Sequence, residues 1–295
     1  MQPIPFLPAN HHAPVIESPS ASLKLRTFNT PSPTPRKRLN RIPSSPILPY
    51  HGAIYDGTRP NPIPTPIVGG LNFIGSVGID ERVVPGERLV RGVCESPAKN
   101  CFVLEEGRLC STPGLGLGYA VQDLAYMASL LVPFGGLRDI SVSPGETIVI
   151  FPVTGFYASL GVHISVAMGC RVIAMGRDET ELNKLKDDIT RASPRVIGSI
   201  ESVVITGDIK CDGPSLQKFG AIDAVLDITP TGAKGVSLMG STAGIAVAEI
   251  MVNDIMLRGK YMYDRETIVR FIKMLERGII PLGQSSMDTK AITLE

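Results

Sequence analysis

Gly155 and Ala158 stand three residues apart in the short turn Pro152-Val-Thr-Gly-Phe-Tyr-Ala158, between an apolar β-rich run and a small-residue apolar stretch. Gly176-Arg177 closes a second apolar run, Arg171-Val-Ile-Ala-Met175. Small residues let a turn close tightly against a ligand, and the amides and dipole that open the following helix favour negative charge. Thr154, Gly155, Phe156, Tyr157 and Ala158 are therefore candidate contacts for a pyrophosphate. Gly176 and Arg177 are candidates for the adenosine ribose of a dinucleotide. An acidic residue after the second strand reads a free 2′-hydroxyl, while an Arg accommodates a 2′-phosphate; Gly then Arg points to NADP(H), the alternative being that Asp178 or Glu179, which follow closely, meets a 2′-hydroxyl. Only the middle glycine of a G-x-x-G-x-x-G pattern is present, since Pro152 and Ala158 take the outer places. An ordinary strand–turn–helix could carry the same residues, so the surrounding elements decide.

Those elements read as a parallel, doubly wound α/β sheet. Thr147-Ile-Val-Ile-Phe151 is a strand by its apolar, β-branched run, and Tyr157 to Met168 follows as a helix. Leu182, Leu185 and Ile189 recur at helical spacing after Arg177. Strands are expected at Ser202–Thr206 and Ile222–Ile228, so strands and helices alternate. Glu266 to Arg277 is an amphipathic helix, with Gly278 as its stop. Residues from about 46 to 140 are punctuated by Gly and Pro, with short β-like runs such as Ile67-Val68 and Cys101-Phe-Val-Leu104. They read as a smaller β-rich domain.

At 295 residues the chain is long enough for two domains. A net charge of +1 gives no electrostatic case for nucleic acid or an acidic membrane. No apolar run reaches the length of about 18–20 residues that spans a bilayer. Cys94, Cys101, Cys110, Cys170 and Cys211 form no C-x-x-C pair, which argues against a structural zinc site and a secreted disulfide framework. A cytoplasmic location is expected.

The run Ser143-Pro-Gly-Glu-Thr-Ile-Val-Ile150, the Thr154-Gly155 turn, Ala167-Met-Gly-Cys-Arg-Val-Ile-Ala-Met-Gly-Arg177 and Ile222-Asp-Ala-Val-Leu-Asp227 follow a β-rich first part. In that order they resemble the medium-chain dehydrogenase/reductase superfamily, which contains zinc alcohol dehydrogenases and zinc-free quinone reductases. The likeness runs over about residues 23 to 283, and fungal alcohol-dehydrogenase-like members are the nearest in kind. It implies a GroES-like domain over 23–140 and a Rossmann-type cofactor domain over 141–283, both partial. Residues 1–22 are expected to be disordered and 284–295 to be a shortened tail. It further implies Ile228 and Met239 as cofactor contacts, a small carbonyl, enone or quinone as substrate, and room for a homodimer.

The resemblance also tests the metal. The family's zinc ligands fall on Leu48, on Leu71 in Gly70-Leu71-Asn72, and on Val132. None of these side chains has a lone pair to offer, so a zinc-independent enzyme is implied. Such an enzyme polarises a carbonyl by hydrogen bonding while hydride arrives from the nicotinamide. Tyr50 and His51, at the place the resemblance gives to the metal, are the candidate proton donors; the competing reading is of packing or surface residues beside a turn. His163, inside the first helix of the cofactor domain, reads as structural.

The chain departs from the family in places. Seven residues separate Ile228 from Val236-Ser-Leu-Met239, which reads as the next strand. A parallel crossover needs about a dozen, usually a helix. Sequence after Pro85-Gly-Glu-Arg-Leu-Val90 is also short, and the chain ends at Glu295. The alternative reading is thus a truncated, catalytically inactive paralogue or splice product that keeps partial nucleotide binding.

Overall fold

The computed structural model describes residues 8–30, 39–48, 51–58, 64–70, 72–79, 89–93, 102–104, 109–110, 116–192, 197–229, 247–260, 263–280 and 282. They fall into two compact units, one up to Ala128 and the other from Ser129 onward.

The first unit holds two antiparallel sheets. Strands β1 (Asn10–Ile16), β2 (Lys24–Asn29) and, after β3 (Leu39–Ser44) and the short helix α1 (His51–Tyr55), β4 (Ile67–Val68) form one sheet in the order β2-β1-β4. With β5 (Asn72–Ile79), β6 (Leu89–Val93) and β7 (Phe102–Leu104), β3 forms the other, in the order β3-β5-β6-β7. Helix α2 (Val121–Ala125) follows.

Two expectations for this region are corrected. Residues 1–22 are not disordered throughout, because β1 pairs with β2 from Asn10↔Asn29 to Val15↔Lys24 and buries Val15 and Ile16. His11 stacks on Phe28 at 5.8 Å between ring centres, and His12 Nδ1 lies 3.1 Å from the Thr27 hydroxyl. The stretch from 46 to 140 is not wholly β-rich either. It contains α1, α2 and helix α3 (Met127–Asp139). Pro133 and the Gly135-Gly136 pair hid α3, since both residue types disfavour a helix interior. Tertiary burial overrides them: Leu130, Leu131, Phe134 and Leu137 are nearly inaccessible.

The second unit is built on a four-stranded parallel sheet: β8 (Thr147–Phe151), β9 (Arg171–Gly176), β10 (Ser199–Val204) and β11 (Ala224–Asp227). Their spatial order is β10-β9-β8-β11. Helices α4 (Phe156–Ala167), α5 (Glu179–Ala192) and α6 (Ile209–Gln217) connect consecutive strands, and α7 (Val247–Val252) and α8 (Arg265–Glu276) come later.

Apolar side chains cover both faces of the sheet, as parallel strands require, except at β11, where Val225 is 52% exposed. One face carries Ile148 and Ile150, both fully buried. Gly161 lets α4 lie against it, since a Cβ there would stand 3.2 Å from Pro133 and 3.4 Å from Leu226. The opposite face gathers Val149, Ile173, Met175 and Val203, with Leu216, Phe219 and Ile222 packed on them. Helix α8 closes the α3 side through Phe271, whose ring meets Phe134 edge-on at 5.2 Å between centres. Leu182, Leu185 and Ile189 are the buried stripe of α5, as their spacing requires.

Strand β10 begins three residues earlier than expected. Its register on β9, Ser199↔Arg171 to Val204↔Gly176, is set by the neighbour, and the run Ser202–Thr206 overshoots the end of that pairing. Among the described residues, no helix is long and apolar enough to cross a membrane. The expected strand at Val236–Met239 and the helix-free link before it lie outside the described residues.

Candidate functional site

In chain order the parallel sheet runs 3-2-1-4. The chain leaves β8 toward β9 and β10 on one side, then returns to place β11 on the other. Ligands of such sheets bind where the order reverses, outside the carboxyl ends of the strands. Here that place lies between Phe151 at the end of β8 and Asp227 at the end of β11, which are direct register partners.

Beyond Phe151 the chain turns through Pro152 to Gly155. The Val153 amide donates to the Met175 carbonyl at 2.8 Å, so the turn is tied to the end of β9. Gly155 is the N-cap of α4 and has no side chain to cap it, and the first turn carries no acidic residue. A Cβ at Gly155 would meet only Pro152 O, at 3.5 Å, which is ordinary contact. The helix therefore presents an uncapped, positive end over an accessible glycine. That chemistry suits a phosphate. Thr154 is exposed; Gly155, Phe156 and Tyr157 are half-buried; Ala158 is buried under the turn.

Gly176 is a glycine because of this turn. Its Cβ would stand 3.0 Å from Thr154 Cγ2 and 3.3 Å from Leu182 Cδ2. Arg177, next along, is exposed and makes no hydrogen bond or ion pair among the described residues. Asp178 is committed elsewhere. Its Oδ1 accepts from the Thr180 amide at 2.9 Å and the Glu181 amide at 3.2 Å, capping α5. Sequence reading missed this role, although Asp178 with Glu181 three residues on is a capping signature.

At the end of β11, the Ile228 amide donates to Phe151 O at 3.0 Å. Asp227 Oδ1 accepts from both the amide and the hydroxyl of Thr229, at 2.9 and 2.5 Å. Ile228 is 7% exposed, so its buried side chain helps wall the reversal. Met239 lies outside the described residues. The structure thus brings Thr154, Gly155, Phe156, Tyr157, Ala158, Gly176, Arg177 and Ile228 to the carboxyl edge of one sheet. The residues present fit a dinucleotide by an uncapped helix end, a close-packed glycine and an unpaired cation.

The candidate proton donors belong to the first unit. Tyr50 lies outside the described residues. His51 opens α1 and is only 1% exposed. The Leu48 amide faces its Nδ1 at 3.4 Å, which favours the neutral tautomer with its proton on Nε2. Tyr55, not singled out from the sequence, lies beside it at 5.8 Å between ring centres. The Gly70 amide donates to the Tyr55 hydroxyl at 3.1 Å.

Leu48 is buried and Val132 half-buried, and Leu71 lies outside the described residues. Leu48 and Val132 offer a zinc ion no donor atom. Among the described residues, no group of three His, Cys, Asp or Glu side chains could hold a metal.

No family model matches the chain. Solved structures share its fold. A cobalt- and zinc-bound thermostable alcohol dehydrogenase from Pyrobaculum aerophilum aligns at 18% identity with a TM-score of 0.66, covering 92% of this chain and 90% of that one. The acetophenone reductase of Geotrichum candidum, in complex with NAD, aligns at 17% identity with a TM-score of 0.65, covering 94% and 90%. A quinone oxidoreductase from Thermus thermophilus, solved also with NADPH, aligns at 18% identity with a TM-score of 0.52, covering 76% and 68%. The fold is α/β, a GroES-like antiparallel part joined to a Rossmann-type parallel sheet, as in the alcohol dehydrogenase with which it aligns. These similar structures carry different cofactors and metals, so the fold leaves both choices to individual residues.

Proposed function

We propose that this protein is an NADP(H)-dependent, zinc-independent oxidoreductase that reduces a carbonyl, enone or quinone, or oxidises an alcohol, by hydride transfer. The observation that carries the reading is the edge of the parallel sheet. There an uncapped helix end at Gly155 lies beside Gly176, followed by an unpaired, exposed Arg177. The nucleotide, when bound, supplies the hydride. The amide end of α4 holds the pyrophosphate. Arg177 pairs with a 2′-phosphate, which a guanidinium does strongly because the hydrogen bond is charge-assisted. The reading is supported by Asp178, the next residue, whose Oδ1 is taken by two amides of the α5 cap.

Leu48 and Val132 support zinc independence, because negative charge on a substrate oxygen must then be met by a proton donor. Tyr50 is the first candidate. His51 is the second, in the tautomer that keeps a proton on Nε2. The 1% exposure of His51 favours the other reading, a paralogue that binds nucleotide without turnover.

Fluorescence titration with NADPH and NADH tests the cofactor. Wild type should prefer NADPH, and Arg177→Ala should lose roughly 1–3 kcal/mol of that preference. Equal affinities, unmoved by the substitution, sink the reading. A carbonyl and quinone panel with Tyr50→Phe and His51→Ala separates enzyme from binder, and elemental analysis of the purified protein checks the metal.

A further inference from the structure

The other end of α4 carries a second feature. Phe134, Arg138, Ser141, Val142, Met168, Arg270, Lys273, Met274 and Arg277 line a cleft of about 550 Å³ in the second unit. Met168 is the C-cap of α4, whereas Gly155 is its N-cap. A twelve-residue helix is about 18 Å long, so the cleft and the nucleotide edge lie at opposite ends of it. The cleft faces the amino ends of the strands, where Ser141 and Val142 lead toward β8.

Phe134 and Val142 behind the cleft are buried, 2% and 8% exposed, so its open apolar surface is that of the half-buried Met168 and Met274. Its rim is cationic. Arg270, Lys273, Met274 and Arg277 share one face of α8 and its C-cap, at spacings of three and four residues. Arg138 and Arg270 are matched within the protein. Arg138 lies 3.6 Å from Glu266 and 4.0 Å from Asp264, and Arg270 lies 2.6 Å from Glu266. Lys273 and Arg277 have no side-chain ion pair among the described residues. The ends of α3, α4 and α8 bring about half a negative charge apiece. Summed, these partial charges are smaller than the two charges of Lys273 and Arg277.

We propose that this cleft binds a small amphipathic anion, a carboxylate carried on a short aliphatic or aromatic body. The body lies on Met168 and Met274, and the acid pairs with Lys273 and Arg277. The volume lies within the range of small-molecule sites. Neither half of the ligand suffices: two exposed cations hold a bare anion weakly in water, and an uncharged body leaves them unmatched.

The experiment uses decanoate as probe, with decanol and inorganic phosphate as controls, by calorimetry on the full chain. Decanoate should bind saturably with a Kd below about 1 mM. Lys273→Ala/Arg277→Ala should weaken it about tenfold or more. NADPH affinity, measured in the same samples, should not change and reports that the variant is folded. A diazirine-bearing decanoate should cross-link wild type within residues 134–142, 168 or 270–277. No saturable decanoate binding, equal binding by decanol or phosphate, an unweakened double variant, or cross-links confined elsewhere each overturn the proposal.

Discussion

Thr154 and Gly176 approach so closely that a Cβ on Gly176 would stand 3.0 Å from Thr154 Cγ2. The turn that follows β8 and the end of β9 are thus a single packed unit, tied also by the Val153 amide on Met175 O.

Gly176→Ala should therefore press on the turn from one side and on Leu182, 1% exposed, from the other. Overpacking of this kind costs about 1–3 kcal/mol. Chemical denaturation should show that loss, and NADPH titration should show weaker binding in the protein that remains folded. Unchanged stability with unchanged affinity would mean that the turn moves aside freely.

Asp178→Ala should remove the cap of α5, at about 0.5–2 kcal/mol, whereas Asp178→Asn should keep most of it. If the cap is its whole role, neither should move the preference between NADPH and NADH. A swing toward NADPH in both variants would place Asp178 at the ribose instead. Thermal melts and paired titrations read the two effects separately.

His163 is buried in α4, and its pKa is lowered from 6.5 to about 4, chiefly by desolvation; the charge of Asp188 acts the other way. The unfolded chain binds this proton first as pH falls. Stability is whole above pH 6.5 and declines from there to about pH 4, by about 3 kcal/mol in total. In urea titrations across this range, His163→Leu should be flatter than wild type by that amount. Parallel pH profiles would show that His163 is not the group responsible.

Cys170 is fully buried, and its thiol is pushed up to about 11 by burial first and by Glu146 second. Cys211 is exposed. The thiolate is the reactive form, so at pH 8 only about one Cys170 in a thousand is reactive even before access is considered. Iodoacetamide followed by peptide mapping should mark Cys211 and spare Cys170. Equal labelling in the native protein would indicate that β9 opens readily.

Local signals made much of the second unit legible. Thr147–Phe151 and Arg171–Gly176 are short apolar runs bounded by turn residues, and β8 and β9 stand there. The stripe of Leu182, Leu185 and Ile189, and the Gly278 stop with its φ of +69°, likewise mark α5 and α8 in the sequence. The turn positions Gly155 and Gly176 were legible because small residues between apolar runs mark a tight turn and a close packing contact.

Only the tertiary structure decided the rest, because those features depend on distant partners. Helix α3 forms through Pro133 and Gly136 because Leu226 and Phe271 bury it. Strand β10 starts at Ser199 because β9 sets its register. β1 exists because β2 and β4 pair with it. Asp178 looks the same in sequence whether or not it caps a helix, and only the placement of the Thr180 and Glu181 amides on its Oδ1 shows that it does. Periodicity and turn chemistry act over a few residues, whereas burial and pairing join residues tens of positions apart, and a one-dimensional pattern does not record those.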